Sequence, residues 1–443
     1  MLGQKRIKQI TDAILARSTA DQTEVLVLAN DEALTRFANS TIHQNVAETD
    51  SEVRIRVVVD KRIGVATTNN LTDEALAQAL ETALTIARLQ PQNPDFKSLP
   101  GPQPIPEVTA YSEATASCTP KQRARGAGIV CSLAREAGVR AFGALTTAAL
   151  EIAVANSLGV FAYCPTSYAD LVTVVMSDNS SGYGSALTMN VDDLDVEAIG
   201  REAVEKALRS QNPQALEPGE YTVILEPYAV QDFVEMMAYT GFGALAVQEG
   251  RSFMAGKIGQ QIVDPRISIW DDGLDPAGLP LPFDFEGLPK QRVDLIERGV
   301  ARGVVYDSYR AGKEEGKIST GHALPAPNPM GPFPLNLFFA PGDAALEEMI
   351  KSTERGVYVT RFHYTRPVEP AKVVITGMTR DGTFLVENGE IAHPVKNLRF
   401  TQSYVEALNQ VDGVGQEPRL LSGFDGLFRV SVPALKLGSF RFT

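Results

Sequence analysis

The stretch QPQNPDFKSLPGPQPIP, residues 90–106, holds six prolines and one glycine in 17 positions. Proline fixes φ and has no amide donor, so this stretch reads as an extended linker outside any core. It divides the chain, and what lies on its two sides sets the fold. Before it, Ile7, Ile10, Ile14 and Leu15 recur at helical spacing in Gln4–Arg17. Residues 23–28 read as a short β run, and residues 52–59 turn at Asp60-Lys61 into residues 62–67 as a hairpin. Thr72 suits the N-cap of a second helix, with Asp73 and Glu74 in its first turn and Leu76, Leu80, Leu84 and Ala87 as its apolar stripe.

Beyond the linker the order recurs. Residues 121–136 read as a helix ending at Gly138, residues 148–154, 159–163 and 171–176 as strands, and Val196–Arg209 as a helix. Phe37-Ala38-Asn39-Ser40 returns as Val154-Ala155-Asn156-Ser157, each close behind a strand-like run. The match reads either as a repeat or as ordinary Asn-Ser turn chemistry. After Gln211-Asn212-Pro213 the character changes to β. Residues 221–225 form a strand and 228–239 a helix, and residues 295–305 turn at Arg298-Gly299. Asp381-Gly382 and Asn388-Gly389 cut residues 372–395 into three strands, since such dipeptides suit type I′ turns. Asp343 is read as the cap of a helix carrying Leu346, Met349 and Ile350. The expected fold is α+β: two small N-terminal α+β domains at 1–90 and 107–213, joined by a linker at 91–106, then a large β-rich domain at 214–443.

Composition narrows the function. The 443 residues carry 54 acidic and 41 basic side chains, a net charge of −13, with 44% apolar residues. That is a globular balance, and the acidity argues against a nucleic-acid partner, which needs clustered Lys and Arg. No apolar run approaches the ~20 residues that span a bilayer, and the N-terminus lacks the apolar core of a signal peptide, so a cytoplasmic, membrane-free protein is expected. Cys118, Cys131 and Cys164 make neither a disulfide framework nor a thiolate metal site.

Familiar catalytic signatures fail one by one. The four histidines, His43, His322, His363 and His393, are too far apart for a paired zinc motif. There is no GxSxG elbow. Gly241-Phe242-Gly243-Ala244-Leu245-Ala246 resembles a dinucleotide fingerprint but follows a helix rather than a strand, so it reads as close packing or a flexible loop. Gly312-Lys313 and Gly316-Lys317 lack the rest of a P-loop. Asp271-Asp272, Asp192-Asp193 and Asp195 read as solvated loop residues or N-caps.

An ordered set of short motifs carries more. Asn156-Ser157-x-Gly159-Val160 comes first, then Asp271-Asp272-Gly273. Asp284-Phe285-Glu286-Gly287 precedes Gln291-Arg292-Val293-Asp294-Leu295-Ile296. Ser319-Thr320-Gly321, Gly356-Val357-Tyr358-Val359-Thr360 and Glu387-Asn388-Gly389-Glu390-Ile391 follow. In this order the chain resembles the TldD/PmbA family, also called modulator of DNA gyrase. The resemblance implies two N-terminal α+β pieces, a β-rich third domain, and an intracellular metallopeptidase system acting on peptides or unfolded segments. It further implies that one subunit carries zinc through an HExxxH helix and a C-terminal cysteine, while a TldE-type partner lacks these ligands. Counted without gaps from Val223-Ile224-Leu225, the family's motif falls on Glu235-Met236-Met237-Ala238-Tyr239-Thr240, so Glu235 and Thr240 stand where histidines would. No cysteine follows Cys164. The expectation is a chain without catalytic or metal-binding residues and without a cofactor, zinc residing in a TldD-type homologue with which it pairs. The alternatives are a peptide-binding homodimer without chemistry and a metallopeptidase with a non-standard site. Glu235 is expected to face water, and Thr320, Gly321 and His322 are the candidate cleft residues, with His322 otherwise a surface loop histidine.

Overall fold

The structure is a computed structural model and describes residues 1–423, 426 and 428–443. The chain begins with helix α1 (Gln4–Arg17), strands β1 (Gln22–Ala38), β2 (Thr41–Val59) and β3 (Arg62–Thr68), and helix α2 (Asp73–Leu89). Thr72 caps α2 by accepting the Ala75 amide, as its side chain predicts. The β1–β2 hairpin is far longer than the runs at 23–28 and 52–59 suggest. Residues 41–50 are exposed throughout, so they show no apolar alternation, and their pairing with β1 holds them extended.

A second unit follows: helices α3 (Glu113–Ala116) and α4 (Pro120–Glu136), strands β4 (Arg140–Asn156), β5 (Phe161–Met176) and β6 (Ser181–Thr188), and helix α5 (Val196–Arg209). The two units share one six-stranded sheet in the order β3-β2-β1-β4-β5-β6, joined by antiparallel pairing of β1 with β4. Both copies of the Ala-Asn-Ser motif sit at hairpin turns, at opposite ends of the seam, and make the same contacts. The Ser40 amide donates to the Ala141 carbonyl at 2.9 Å and its Oγ accepts the Ala141 amide at 2.9 Å. The Ser157 amide donates to the Thr23 carbonyl at 2.8 Å and its Oγ accepts the Thr23 amide at 3.0 Å. Each serine ties the start of the other unit's first strand, a pseudo-twofold arrangement that decides for the repeat.

The proline-rich segment has neither helix nor strand, but it is not free of the core. Phe96 and Leu99 are buried against Val58 and partly buried Ile63. The Leu99 amide donates to Gln22 Oε1, and the Pro100 carbonyl accepts from Asn156 Nδ2. The segment is a strap laced across both units.

The remainder comprises β7 (Gly219–Leu225), α6 (Pro227–Gly241), α7 (Ala244–Gln248), β8 (Ile269–Asp271), β9 (Val293–Glu297), β10 (Val300–Ala301), α8 (Ser308–Ala311), β11 (Asn336–Phe339) and α9 (Leu346–Lys351). It continues with β12 (Arg355–Glu369), β13 (Val374–Glu387), β14 (Glu390–Pro394), β15 (Arg399–Ser403), α10 (Tyr404–Ala407), β16 (Val411–Val414), β17 (Arg419–Ser422), β18 (Arg429–Val432) and β19 (Leu435–Phe442). One sheet runs β10-β9-β8-β11-β18-β17. The other forms a circuit, β12-β7-β19-β15-β13, that closes because β13 also pairs with β12. An aromatic core of Phe233, Phe362, Phe400, Tyr404 and Phe440 packs α6 against that circuit, with the Phe233 and Tyr404 rings stacked 3.8 Å apart.

Two local expectations are corrected. Asp343 does not cap α9: Ala345 occupies the N-cap and no side chain bonds there. Asp381-Gly382 is not a turn but lies inside β13, where the register with β12 shifts and Asp381 adopts φ 57°. A bulge satisfies the same positive-φ preference as a type I′ turn, so the dipeptide alone cannot separate them. Asn388-Gly389 and Arg298-Gly299 do turn, both residues of each pair having positive φ.

Candidate functional site

Glu235 and Thr240, the positions that the ungapped count aligns with the family's motif, lie on α6, which opens with Pro227 at its first turn. Glu235 and Thr240 both point inward, 4% and 2% exposed, which corrects the expectation that Glu235 faces water. Glu235 Oε1 accepts from Gln231 Nε2 at 2.5 Å, and the same amide donates to the Ser422 carbonyl of β17 at 2.6 Å. Thr240 Oγ1 donates to the Met236 carbonyl at 2.7 Å. Between them Tyr239 is 52% exposed and lines a groove of about 240 Å³ with Arg251, Met330 and Phe333. One turn earlier, half-buried Asp232 accepts hydrogen bonds from Thr365 and Tyr404. Burial nevertheless pushes its carboxyl up to about 6.

Zinc needs three or four converging N, S or O ligands. Among the described residues no group of three His, Cys, Asp or Glu side chains could hold a metal. At the motif position a carboxylate bonded to an amide and a hydroxyl spent on its own helix do not make such a set. The cysteines are buried in the N-terminal units, and burial pushes the Cys164 thiol up to about 12, far from a thiolate. His43 is exposed on β2, while partly buried His363 and His393 lie on β12 and β14.

The structure also relocates the Thr320-Gly321-His322 cleft reading. His322 is 0% exposed, and it is neither a cleft nor a surface residue. Its Nε2 lies 2.7 Å from Asp271 Oδ1 and its Nδ1 2.9 Å from Thr320 Oγ1. A carboxylate only accepts, so Nε2 carries the proton and Nδ1 of the neutral ring accepts from the Thr320 hydroxyl. Asp271, read from sequence as a loop or cap residue, is itself 0% exposed, and its Oδ2 accepts the Asn336 amide at 2.7 Å. Lys290 completes the cluster with Nζ 4.0 Å from Asp271 Oδ1 and no side chain exposed. Burial pushes Lys290 and His322 down. Burial alone would raise Asp271, but the Lys290 charge and the His322 bond hold it below the usual range. Gly321 admits this crowding: at φ +75° a Cβ there would lie 2.2 Å from the Pro289 carbonyl. Lys290 carried no sequence signal, because a lone lysine reads as surface.

The Asp284-Phe285-Glu286-Gly287 motif latches the C-terminal part to the N-terminal sheet. Asp284 accepts the Glu286, Leu288 and Ala323 amides, which fixes the loop. Glu286 then reaches Arg56 of β2 at 3.2 Å, Arg56 pairs with Glu24 of β1 at 2.5 Å, and Phe283 packs with Leu26, Ile152 and Val154.

The chain matches three family models in succession: PmbA/TldA metallopeptidase domain 1 over residues 23–87, the central domain over 104–211 and the C-terminal domain over 218–443. It is 25% identical to metalloprotease PmbA of Escherichia coli O157:H7, covering 91% of this chain and 89% of that protein. A metalloprotease of Methanothermobacter thermautotrophicus is 29% identical over 243 residues, and there the match spans about half of each protein (54% and 52%). Among solved structures, TldE from Thermococcus kodakarensis superposes with a TM-score of 0.87 at 23% identity, covering 99% of both chains. A protein from Thermotoga maritima described as a putative modulator of a DNA gyrase gives 0.87 at 23%, covering 99% of this chain and 100% of that one. At such identity these two speak for the fold. The family models, the ordered motifs and the three-part architecture agree: the chain belongs to the PmbA/TldD metallopeptidase family.

Proposed function

We propose that this chain is the zinc-free, TldE-type subunit of an intracellular peptidase pair, acting on peptides or unfolded segments together with a TldD-type homologue that carries HExxxH. The observation that carries this reading is the state of α6, where Glu235 and Thr240 are buried and bonded to Gln231 and Met236. Neither offers what zinc catalysis requires, a ligand set that leaves one position open for an activated water. The relatives named TldD homologues and the TldE fold likeness support the same family of partners. In this role the chain contributes walls and docking surface, and it contacts neither nucleic acid nor membrane. Among the described residues no helix is long and apolar enough to cross a bilayer.

The test is direct. The purified chain is expected to hold less than about 0.1 equivalent of zinc and to leave an unfolded peptide intact with or without added metal. Co-expression with an HExxxH homologue is expected to yield a complex burying more than ~2,000 Å² and cleaving the peptide. Stoichiometric zinc in the chain alone, with chelator-sensitive cleavage, would overturn the reading.

A further inference from the structure

The first unit leaves a length of sheet edge bare. Strand β3 pairs with β2 only from Val53 to Val59, so residues 41–52 of β2 pair on one side alone, with β1. The Val58 carbonyl points toward β1, since it accepts the amide of Asp21 just before that strand. By the alternation of an antiparallel ladder, the amides and carbonyls of Asn45, Ala47, Thr49 and Ser51 then point outward. Ser51 agrees, for its amide is taken by Asp50 Oδ1 at 2.8 Å. No proline interrupts the stretch.

The second unit shows how the same fold treats its equivalent edge. Strand β6 pairs with β5 only from Ala169 onward, which leaves residues 161–168 of β5 in the matching position. There the chain covers itself. The Ser167 amide donates to the Ala110 carbonyl at 2.9 Å, and Ser167 Oγ accepts the Ser112 amide at 2.8 Å. Ile105 and Val108 pack on the cluster that holds Ala162 and Cys164, and Pro165 removes a donor from the edge. An extended segment lies along one edge and none along the other.

Charge says what fits the bare one. Val53, Ile55 and Val57 face the helices, so the even-numbered positions of β2 lie on the opposite face. That face carries Glu48, Asp50 and Glu52, with Glu32 of β1 directly opposite Glu48. Like charges so placed repel. The cations of this face are Arg54, already paired with Glu52 at 2.7 Å, and Arg36 near the turn, bonded to Gln44. Among the described residues Glu48 and Asp50 make no ion pair. Outward-facing Asn45, Ala47, Thr49 and Ser51 show small, uncharged side chains on the other face, where Asp31 is held by the N-terminal ammonium. A second copy of this edge would set one acidic row against another, which disfavours it.

We propose that the β2 edge at residues 45–51 binds an extended peptide as an added strand, with Lys or Arg at alternate positions on the Glu48 and Asp50 face. The peptide class rests on the function proposed above. Binding is read on the chain alone, without zinc or a partner subunit, so its failure leaves the tests of those points untouched.

The probes are the blocked heptapeptide Thr-Lys-Thr-Lys-Thr-Lys-Thr, its analogue N-methylated at every internal residue, and the same peptide with Glu for Lys. Calorimetric titration at low salt is expected to show the first binding below roughly 1 mM and the other two at least about tenfold more weakly. Hydrogen exchange of the Ala47 and Thr49 amides should slow in the first complex. Ala47→Pro removes an outward donor while the ladder to β1 runs through the even residues, and should weaken binding about tenfold or more. Glu48→Lys with Asp50→Lys should reverse the order of the Lys and Glu peptides, a result that unfolding cannot imitate. The proposal fails if the methylated analogue binds as tightly, if the reversal leaves the preference unchanged, or if the two amides stay unprotected. It fails equally if Ala47→Pro dissolves a dimer, or blocks a complex with an HExxxH homologue, while peptide binding is unaltered; the edge would then be a subunit interface.

Discussion

Asp271→Asn isolates the buried Lys290 charge. The substitution keeps the shape of the side chain, and His322 can absorb its new donor by moving its proton to Nδ1. The introduced side-chain amide then donates to His322 Nε2, while its oxygen keeps the Asn336 amide. What is lost is charge. Lys290 Nζ has no hydrogen-bond partner, and the charges facing it are those of Asp271, Asp284 and Asp272. Asp284 is held near 7 and is ionised only in part at neutral pH, so Asp271 is the main counter-charge. Breaking a buried pair from one side costs about 3–5 kcal/mol. The lysine sets its own ceiling by releasing its proton. Measured from an unfolded value of about 10.4 at about 1.4 kcal/mol per pH unit, that ceiling is at most about 4.6 kcal/mol at pH 7 and about 2 at pH 9, and it is lower by as much as burial already depresses the lysine in the parent. The sign follows: a lysine whose folded pKa is depressed destabilises below its unfolded pKa, and the loss is recovered as pH rises. Asp271→Asn should therefore cost about 3–4 kcal/mol at pH 7 and about 2 or less at pH 9. Adding Lys290→Met should remove most of the penalty and its pH dependence. The sole tryptophan, Trp270, adjoins Asp271 on β8 and stacks on Phe338 at 5.6 Å, so its fluorescence in urea reports the local transition. A penalty that is flat between pH 6 and 9, or a double variant costing the sum of the singles, would refute the charge account.

Other outcomes are as definite. Gly241→Ala would place a Cβ 2.3 Å from the Phe253 ring and 2.9 Å from Ser252 Oγ, and should cost about 1–3 kcal/mol by thermal denaturation. Ser40→Ala and Ser157→Ala each strip the acceptor from one strand amide; each should cost about 1–2 kcal/mol, similar in size and additive in the double variant. Phe96→Ala should loosen the strap and raise the rate of tryptic cleavage after exposed Lys97, followed by mass spectrometry. Glu235→His with Thr240→His should still leave zinc below about 0.1 equivalent by elemental analysis, since a third ligand and a general base are missing.

The parts legible in the sequence are those whose residues have one physical reading. The stripe Leu76-Leu80-Leu84 can only be a helix face, and Thr72 before it only a cap. Two positive-φ residues at Arg298-Gly299 made a hairpin because apolar strands flanked them. Residues 41–50 stayed hidden because a strand exposed on both faces has no hydrophobic period to detect. The buried cluster stayed hidden for a different reason. Asp271, Lys290 and His322 are 19 to 51 positions apart in sequence, each of a type usually solvated, and only tertiary packing turns them into one another's solvent. The Asn-Ser repeat was ambiguous as turn chemistry and became decisive only when both serines were seen to grip the opposite unit.

Helix α6 is anchored by residues other than those at positions 235 and 240. Its place is held by Val230, Phe233, Val234 and Met237, spaced for one face and buried in the aromatic core, and by Asp232 bonded to Thr365 and Tyr404. Glu235 sits off that stripe, one turn beyond Gln231, and the pair is tied to the Ser422 carbonyl of β17. Packing and motif position are thus carried by different residues. Installing histidines at 235 and 240 would leave the anchoring face alone but break the Gln231–Glu235 bond and the Thr240–Met236 side-chain bond. A metal site here would demand rebuilding the contact between α6 and β17, not the addition of ligands to a waiting cleft.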